Sequence, residues 1–119
     1  MDQQLQMLLY SKGVFRHYKG YDYFVRAVHL AMEKPERLQH IYKEIYLTVA
    51  VEFGTDVRTV EKDLRTVRNV FVKNGGTALL TEMCGASFIG EEHPRLKEMI
   101  EIFAFYLQTT ESAKKKIEV

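Results

Sequence analysis

The sequence is short of the residues that mark a secreted or membrane protein. It has a single cysteine, Cys84, so no disulfide can form within the chain. No apolar run approaches the roughly 20 residues that a membrane-spanning helix needs. The start, Met1-Asp2-Gln3-Gln4, has neither the basic residues nor the long apolar stretch of a secretion signal. A cytoplasmic location without a membrane partner is the expectation. Charge of one sign is missing too: 17 Lys and Arg stand against 16 Asp and Glu, a formal net charge of +1. Many nucleic-acid-binding domains are clearly basic, so this balance says little, and the placement of the cations decides.

What is present fits one soluble globular domain of 119 residues, 46% hydrophobic and 28% charged. That length can bury one real core. The two prolines, Pro35 and Pro94, read as helix starts, since proline is tolerated in a first helical turn and not in an interior. Glycines divide the rest into segments of helical length. Gln3–Tyr10 places Leu5, Leu8 and Leu9 on one side, within an N-terminal helical piece over 1–12. In Tyr21–Glu33, residues Tyr21, Phe24, Val25, Val28 and Ala31-Met32 recur at helical spacing. Glu36–Phe53 carries Leu38, Ile41, Ile45, Val49 and Phe53 in one stripe, as one helix or two with a kink. Asp56–Lys73 is closed by Gly75-Gly76. A shorter helix covers Thr77–Cys84, and Pro94–Tyr106 completes the set with Leu96, Met99, Ile100 and Phe103. Residues 108–119, with Lys114-Lys115-Lys116, read as a polar, fraying tail. No Asn-Gly or Asp-Gly hairpin occurs between alternating runs, and Phe88-Ile89 is too short to found a sheet. The fold class is all-α: a compact bundle of about six helices.

The segment Ile41–Lys73 has the form of a helix-turn-helix. One helix ends at Phe53, Gly54 gives the turn, Thr55 is the expected N-cap, and Asp56 complements the positive start of the next helix. In that motif the second helix lies in the major groove and the first crosses the backbone. At about 100° per residue, Val57, Val60, Leu64, Val67 and Phe71 fall in one arc that must face the core. The opposite arc holds Arg58, Lys62, Arg65, Thr66, Asn69 and Lys73. Five cations (those four with Arg68) oppose three acids, Asp56, Glu61 and Asp63, which lie at the helix start or on the flanks. Arginine can read guanine and asparagine adenine, each with two hydrogen bonds, and Glu61 can accept from a cytosine amino group. Lysine and threonine can hold phosphates. A plain solvated helix face has the same polar look, and the residues alone leave both readings open.

Other chemistry finds little footing. The histidines His17, His29, His40 and His93 do not converge; His40 and Glu44, one turn apart, are the nearest to a metal pair. Cys84 has no base beside it and reads as a small buried residue. Glu91-Glu92-His93 reads as a charged helix start before Pro94. There is no phosphate-cradling glycine loop. Tyr18, Tyr21, Tyr23, Tyr42 and Tyr46 read as packing. No enzyme signature and no cofactor is expected.

Three stretches, "GVFRHYKGYDYF" (Gly13–Phe24), "FGTDVRTVEKDLR" (Phe53–Arg65) and "KNGG" (Lys73–Gly76), resemble the C-terminal effector domain of the sporulation initiation response regulators, the stage-zero sporulation protein A family. The matching positions are Gly13, Val14, His17, Lys19, Gly20 and Tyr21 in the first motif, and Val60, Glu61, Lys62 and Arg65 in the recognition helix. The likeness extends over about Gly13 to Tyr106. It implies a six-helix DNA-binding domain of a transcription regulator. In the family this domain follows a receiver domain, which the twelve residues before Gly13 do not supply. Thr59 stands where the family has a guanine-reading arginine, Thr66 where it has a histidine, Arg58 at a family serine, and Asp63 at a small residue. The family also contacts the polymerase sigma subunit through a stretch matched by Leu79–Phe88, where Gly85 is kept and Cys84 and Ala86 replace aromatics. Its members bind repeated boxes, which implies tandem or dimeric assembly on DNA.

Two functions follow as expectations. The first is a regulator that binds double-stranded DNA sequence-specifically through Thr55, Arg58, Thr59, Glu61, Lys62, Arg65, Thr66 and Asn69. The second is a protein-interaction module that keeps the fold and has lost DNA reading.

Overall fold

The computed structural model describes residues 2–85 and 94–118, and of residues 2 and 111–118 the backbone alone. Among these residues every regular element is helical, as expected for an all-α bundle. Six α-helices follow in order: α1 (Asp2–Tyr10), α2 (Lys19–Glu33), α3 (Leu47–Glu52), α4 (Val57–Lys73), α5 (Gly76–Cys84) and α6 (Leu96–Glu118). A 3-10 helix at Pro35–His40 and a π turn at Tyr42–Tyr46 lie between α2 and α3.

The core forms where α2, α4 and α6 meet. α2 buries Tyr21, Phe24, Ala27, Val28, Leu30 and Ala31, one face at steps of three and four. α4 buries Val60, Leu64, Val67 and Phe71, with Val57 half-buried at its start. From α6 come Leu96, Met99, Ile100, Phe103, Ala104 and Leu107. Phe103 lies edge-on to Phe24, at 5.1 Å between ring centroids, and to Phe71 at 5.5 Å. All three rings are fully buried, and edge-to-face packing of this kind adds to their area burial.

Gly20 makes this meeting possible. A methyl group there would overlap the backbone carbonyl oxygen of Asp63 and come within 2.8 Å of its carbonyl carbon. The first turn of α2 therefore lies directly on the backbone of α4, a distance that no side chain permits. Gly76 plays the same part against the Phe71 ring, which lets α5 begin immediately over α4. Between them Gly75, at φ 87°, reverses the chain after the C-cap Asn74.

The segment expected as one helix or a kinked pair over Glu36–Phe53 takes three windings instead. After Pro35 the chain overwinds into the 3-10 helix, then underwinds through the π turn, and only then becomes α3. The two deviations offset each other in phase, so Leu38, Ile45 and Val49 all reach the core. Ile41 ends half-buried, Tyr46 is buried, and Phe53 is 45% exposed, resting edge-on against Tyr23. α2 starts two residues before Tyr21, because Lys19 and Gly20 supply its first turn, and α5 starts one before Thr77. α6 continues to Glu118, through the stretch read as a polar tail. No glycine or proline interrupts that stretch, and Gln108 donates to the Met32 carbonyl at 3.2 Å. Cys84 is half-buried rather than buried. Phe88-Ile89 and Glu91-Glu92-His93 lie outside the described residues.

Replacing Gly20 by alanine forces α2 off α4. A backbone overlap of this kind costs about 1–3 kcal/mol, which for a chain of this size lowers the thermal midpoint by about 5 °C or more. Gly54→Ala is the control: it meets no neighbour within 4 Å, though its φ of +66° still strains alanine. Circular-dichroism melts of both variants should show the larger loss at Gly20.

Candidate nucleic-acid interface

The connection between α3 and α4 is built by backbone amides. The N–H of Phe53 donates to Val49 O at 3.0 Å, and that of Thr55 to Ala50 O at 2.9 Å. Gly54, at φ 66°, takes the left-handed conformation that this closure requires. Thr55 does not cap α4, contrary to the expectation; its amide ends α3 instead. Asp56 does: its backbone is extended, and Oδ1 accepts from the Thr59 N–H at 2.7 Å. That amide holds the Asp56 carboxyl below the ordinary aspartate range. The result is a helix, a four-residue connection and a second helix, the arrangement expected of a helix-turn-helix.

The eight residues singled out from the sequence do not share one environment. Arg58, Lys62, Arg65, Thr66 and Asn69 are exposed along the outer side of α4, whereas Thr55, Thr59 and Glu61 are half-buried. Among the described residues Arg58 and Lys62 form no ion pair. Arg65 Nη2 lies 3.4 Å from Glu61 Oε2, one turn back, and its side chain is 56% exposed against 20% for Glu61. The Tyr42 hydroxyl donates to the other oxygen, Glu61 Oε1, at 3.1 Å. Thr66 Oγ1 donates back to the Lys62 carbonyl at 3.2 Å. Asn69 Oδ1 accepts from Arg68 Nε at 3.2 Å and Nη2 at 3.0 Å. Adenine reading needs both that oxygen and the amide N–H₂, so Asn69 reads a base only by releasing Arg68.

The three acids of α4 leave the outer strip to the cations. Asp56 faces the first turn, Glu61 leans toward Tyr42, and Asp63 is half-buried at the crossing with Gly20. The inner arc read from the helical period matches the buried set apart from Val57, which is half-buried, and this fixes the outer arc by exclusion.

Two flanking features escaped the sequence reading. Tyr42, read as packing, is 54% exposed, because the π turn rotates it out while Tyr46 takes the core position. Irregular winding leaves no trace in a regular periodicity. The second feature is the loop between α1 and α2. Lys12 is half-buried there, Arg16 and His17 are exposed, and so is Lys19 at the start of α2. Asn74 fastens this loop to the end of α4: its Nδ2 donates to Lys12 O and to Val70 O, both at 3.0 Å. A signal did exist, since no acid occurs between Asp2 and Asp22.

His40 and Glu44 line a shallow open cleft with Lys43, a cation that opposes a metal ion. Among the described residues no three His, Cys, Asp or Glu side chains are grouped to hold one. No described helix is long and apolar enough to cross a membrane.

Compared with known families, residues 5–107 of the chain match the family model described as sporulation initiation factor Spo0A, C terminal. The match includes all of α2 to α5 and α6 as far as Leu107.

The Asp56 cap carries a pH signature. Because folding lowers its pKa, the stabilisation is complete above the ordinary value of 3.8 and fades as pH falls through the lower folded value. Asp56→Ala should therefore melt below the parent at neutral pH, and the gap should narrow in acid. A gap of constant size between about pH 7 and about pH 3 contradicts a charged cap.

Proposed function

The chain belongs to the Spo0A C-terminal family, which implies a DNA-binding effector domain of a sporulation regulator and not a known enzyme family, and we propose that it is a sequence-specific regulator that docks α4 in the major groove of duplex DNA. The observation that carries this reading is the outer strip of α4. Arg58, Lys62 and Arg65 are exposed there with Thr66 and Asn69, while the acids of the same helix are turned aside. In this reading Arg58 and Lys62, which form no ion pair among the described residues, hold phosphates. Arg65 reads a base edge, for which guanine is the natural partner of an arginine fork.

The basic loop before α2 extends the same reading. A helix seated in the major groove has a phosphate backbone on either side. The loop with Arg16 and His17, followed by Lys19 at the start of α2, flanks the end of α4, fastened there by Asn74, and is suited to one of those backbones. A contact with a polymerase sigma subunit and tandem assembly on repeated sites rest on family membership alone.

A second reading, a protein-interaction module without DNA affinity, draws support from the exposed apolar side chains Leu47 and Val51, one turn apart on α3. A duplex titration at low salt, with light scattering of the free protein, separates the two. Binding by the first reading weakens with salt, each neutralised phosphate adding about 0.9 to the slope of log affinity against log salt. Lys62→Ala and Arg16→Ala should each weaken binding on all duplexes and reduce that slope by about 1. Arg65→Ala should cost about 1–3 kcal/mol of discrimination at one base pair. The absence of any duplex affinity at low salt would sink the proposal.

A further inference from the structure

Tyr42 stands at the surface between the core residue Tyr46 and α4. The residue is 54% exposed, and its ring stands edge-on to that of Tyr46, with centroids 5.5 Å apart. Tyr46 is 4% exposed and forms a fixed floor beneath it. The hydroxyl of Tyr42 reaches across to α4 and donates to Glu61 Oε1 at 3.1 Å, and the second oxygen of the same carboxylate lies 3.4 Å from Arg65 Nη2. Burial pushes Tyr46 up to about 12, and the bond to Glu61 raises Tyr42 above its ordinary value. Both phenols are therefore protonated at neutral pH, and Tyr42 remains a donor.

These contacts form one line from the core to the surface: Tyr46, Tyr42, Glu61, Arg65. Of the four side chains, Arg65 is the one on the exposed strip. An exposed arginine samples many rotamers and has to give up that freedom to present two N–H groups in one plane. A carboxylate held from behind limits that sampling before DNA arrives, and so lessens what must be ordered on binding. The guanidinium has five N–H donors, so one contact with Glu61 leaves the fork available for a base.

We propose that Tyr42 is a positioning residue for base reading, which through Glu61 fixes the plane of the Arg65 guanidinium and thereby sets the preference for guanine at one position of the duplex without touching it. This rests on the duplex-reading function above. It also assigns Glu61 to the support of Arg65 rather than to a cytosine of its own.

The test begins with duplexes selected from a random pool by the unaltered chain, followed by versions of the best site with each guanine replaced in turn. Affinities for these and for a random duplex are measured at several salt concentrations. Tyr42→Phe keeps the ring on Tyr46 and removes only the donor. It should bind the random duplex with unchanged affinity and salt slope, and melt with the parent. Its discrimination at one guanine should fall roughly three- to tenfold, part of what a bidentate contact supplies. Arg65→Ala should lose discrimination at that same guanine, and adding Tyr42→Phe to it should change nothing further, as coupled residues require. Glu61→Gln, which retains an acceptor for Tyr42 but loses the charge that draws Arg65, gives a second route if Tyr42→Phe folds poorly. It too should act at that guanine.

If the unaltered chain binds no duplex, the functional reading itself is overturned, and the relay with it. If the chain binds and Tyr42→Phe discriminates fully, only the relay fails. It fails as well if Tyr42→Phe weakens all duplexes alike with a shallower salt slope, which would make Tyr42 a phosphate contact. Loss by Glu61→Gln at a position other than that of Arg65→Ala makes Glu61 a reader in its own right and likewise overturns the relay.

Discussion

The outer side of α4 is set by how closely α2 can lie on its inner side. At Gly20 the backbone of α2 rests against the Asp63 carbonyl, with no room for a methyl group. That approach brings Phe24 of α2 and Phe71 of α4 onto the same ring of α6, Phe103, from two directions. Gly76 repeats the device one step later, where α5 closes over Phe71. Gly20 thus holds α4 against α2 by backbone contact, which is stiffer than contact between flexible side chains. A helix held in this way presents its exposed residues at fixed angles, the condition for reading a groove.

The turn adds a second constraint, along the helix rather than across it. Gly54 closes α3, and Asp56 opens α4 by accepting the Thr59 amide. The division of labour between neighbours is strict: the Thr55 amide completes the first helix, and the Asp56 carboxylate begins the second. Glu52, at the end of α3, is held by a two-point contact with Arg26 of α2, at 2.7 and 3.0 Å. The first helix of the pair is thereby tied to the same element that carries the second.

What was legible in the sequence follows from regularity. The inner arc of α4 appears in the chain as Val60, Leu64, Val67 and Phe71, since a long regular helix writes its period into the sequence. The motif around Gly20 was legible only as a resemblance, because nothing local says that its missing side chain makes room for Asp63. The 3-10 and π windings were not legible at all. They alter the residues per turn, so the stripe through Ile41 and Phe53 pointed at positions the chain does not bury. The placement of Tyr42 beside Glu61 was hidden for the same reason, and the Asn74 link to Lys12 joins residues 62 apart in the chain. The exposed cations of the site were thus readable, while their partners were not.

Those partners explain how a nearly neutral chain can present a cationic surface. Net charge counts every acid equally, whereas a field at a surface depends on which charges are neutralised nearby. Glu52 and Glu33 contact Arg26, and Glu33 also contacts Arg37. Glu61 is drawn toward Tyr42 and Arg65. Among the described residues Arg58 and Lys62 are exposed and form no ion pair, the kind of charge that gains most from phosphates and is most sensitive to salt. Arg65 is different: its charge is partly met within the fold, so it has less to gain from a phosphate and more from a partner of fixed geometry. Under the proposed function, affinity and selectivity therefore fall to different side chains of one helix, and the carboxylate that lowers the overall charge is the one that separates the two roles.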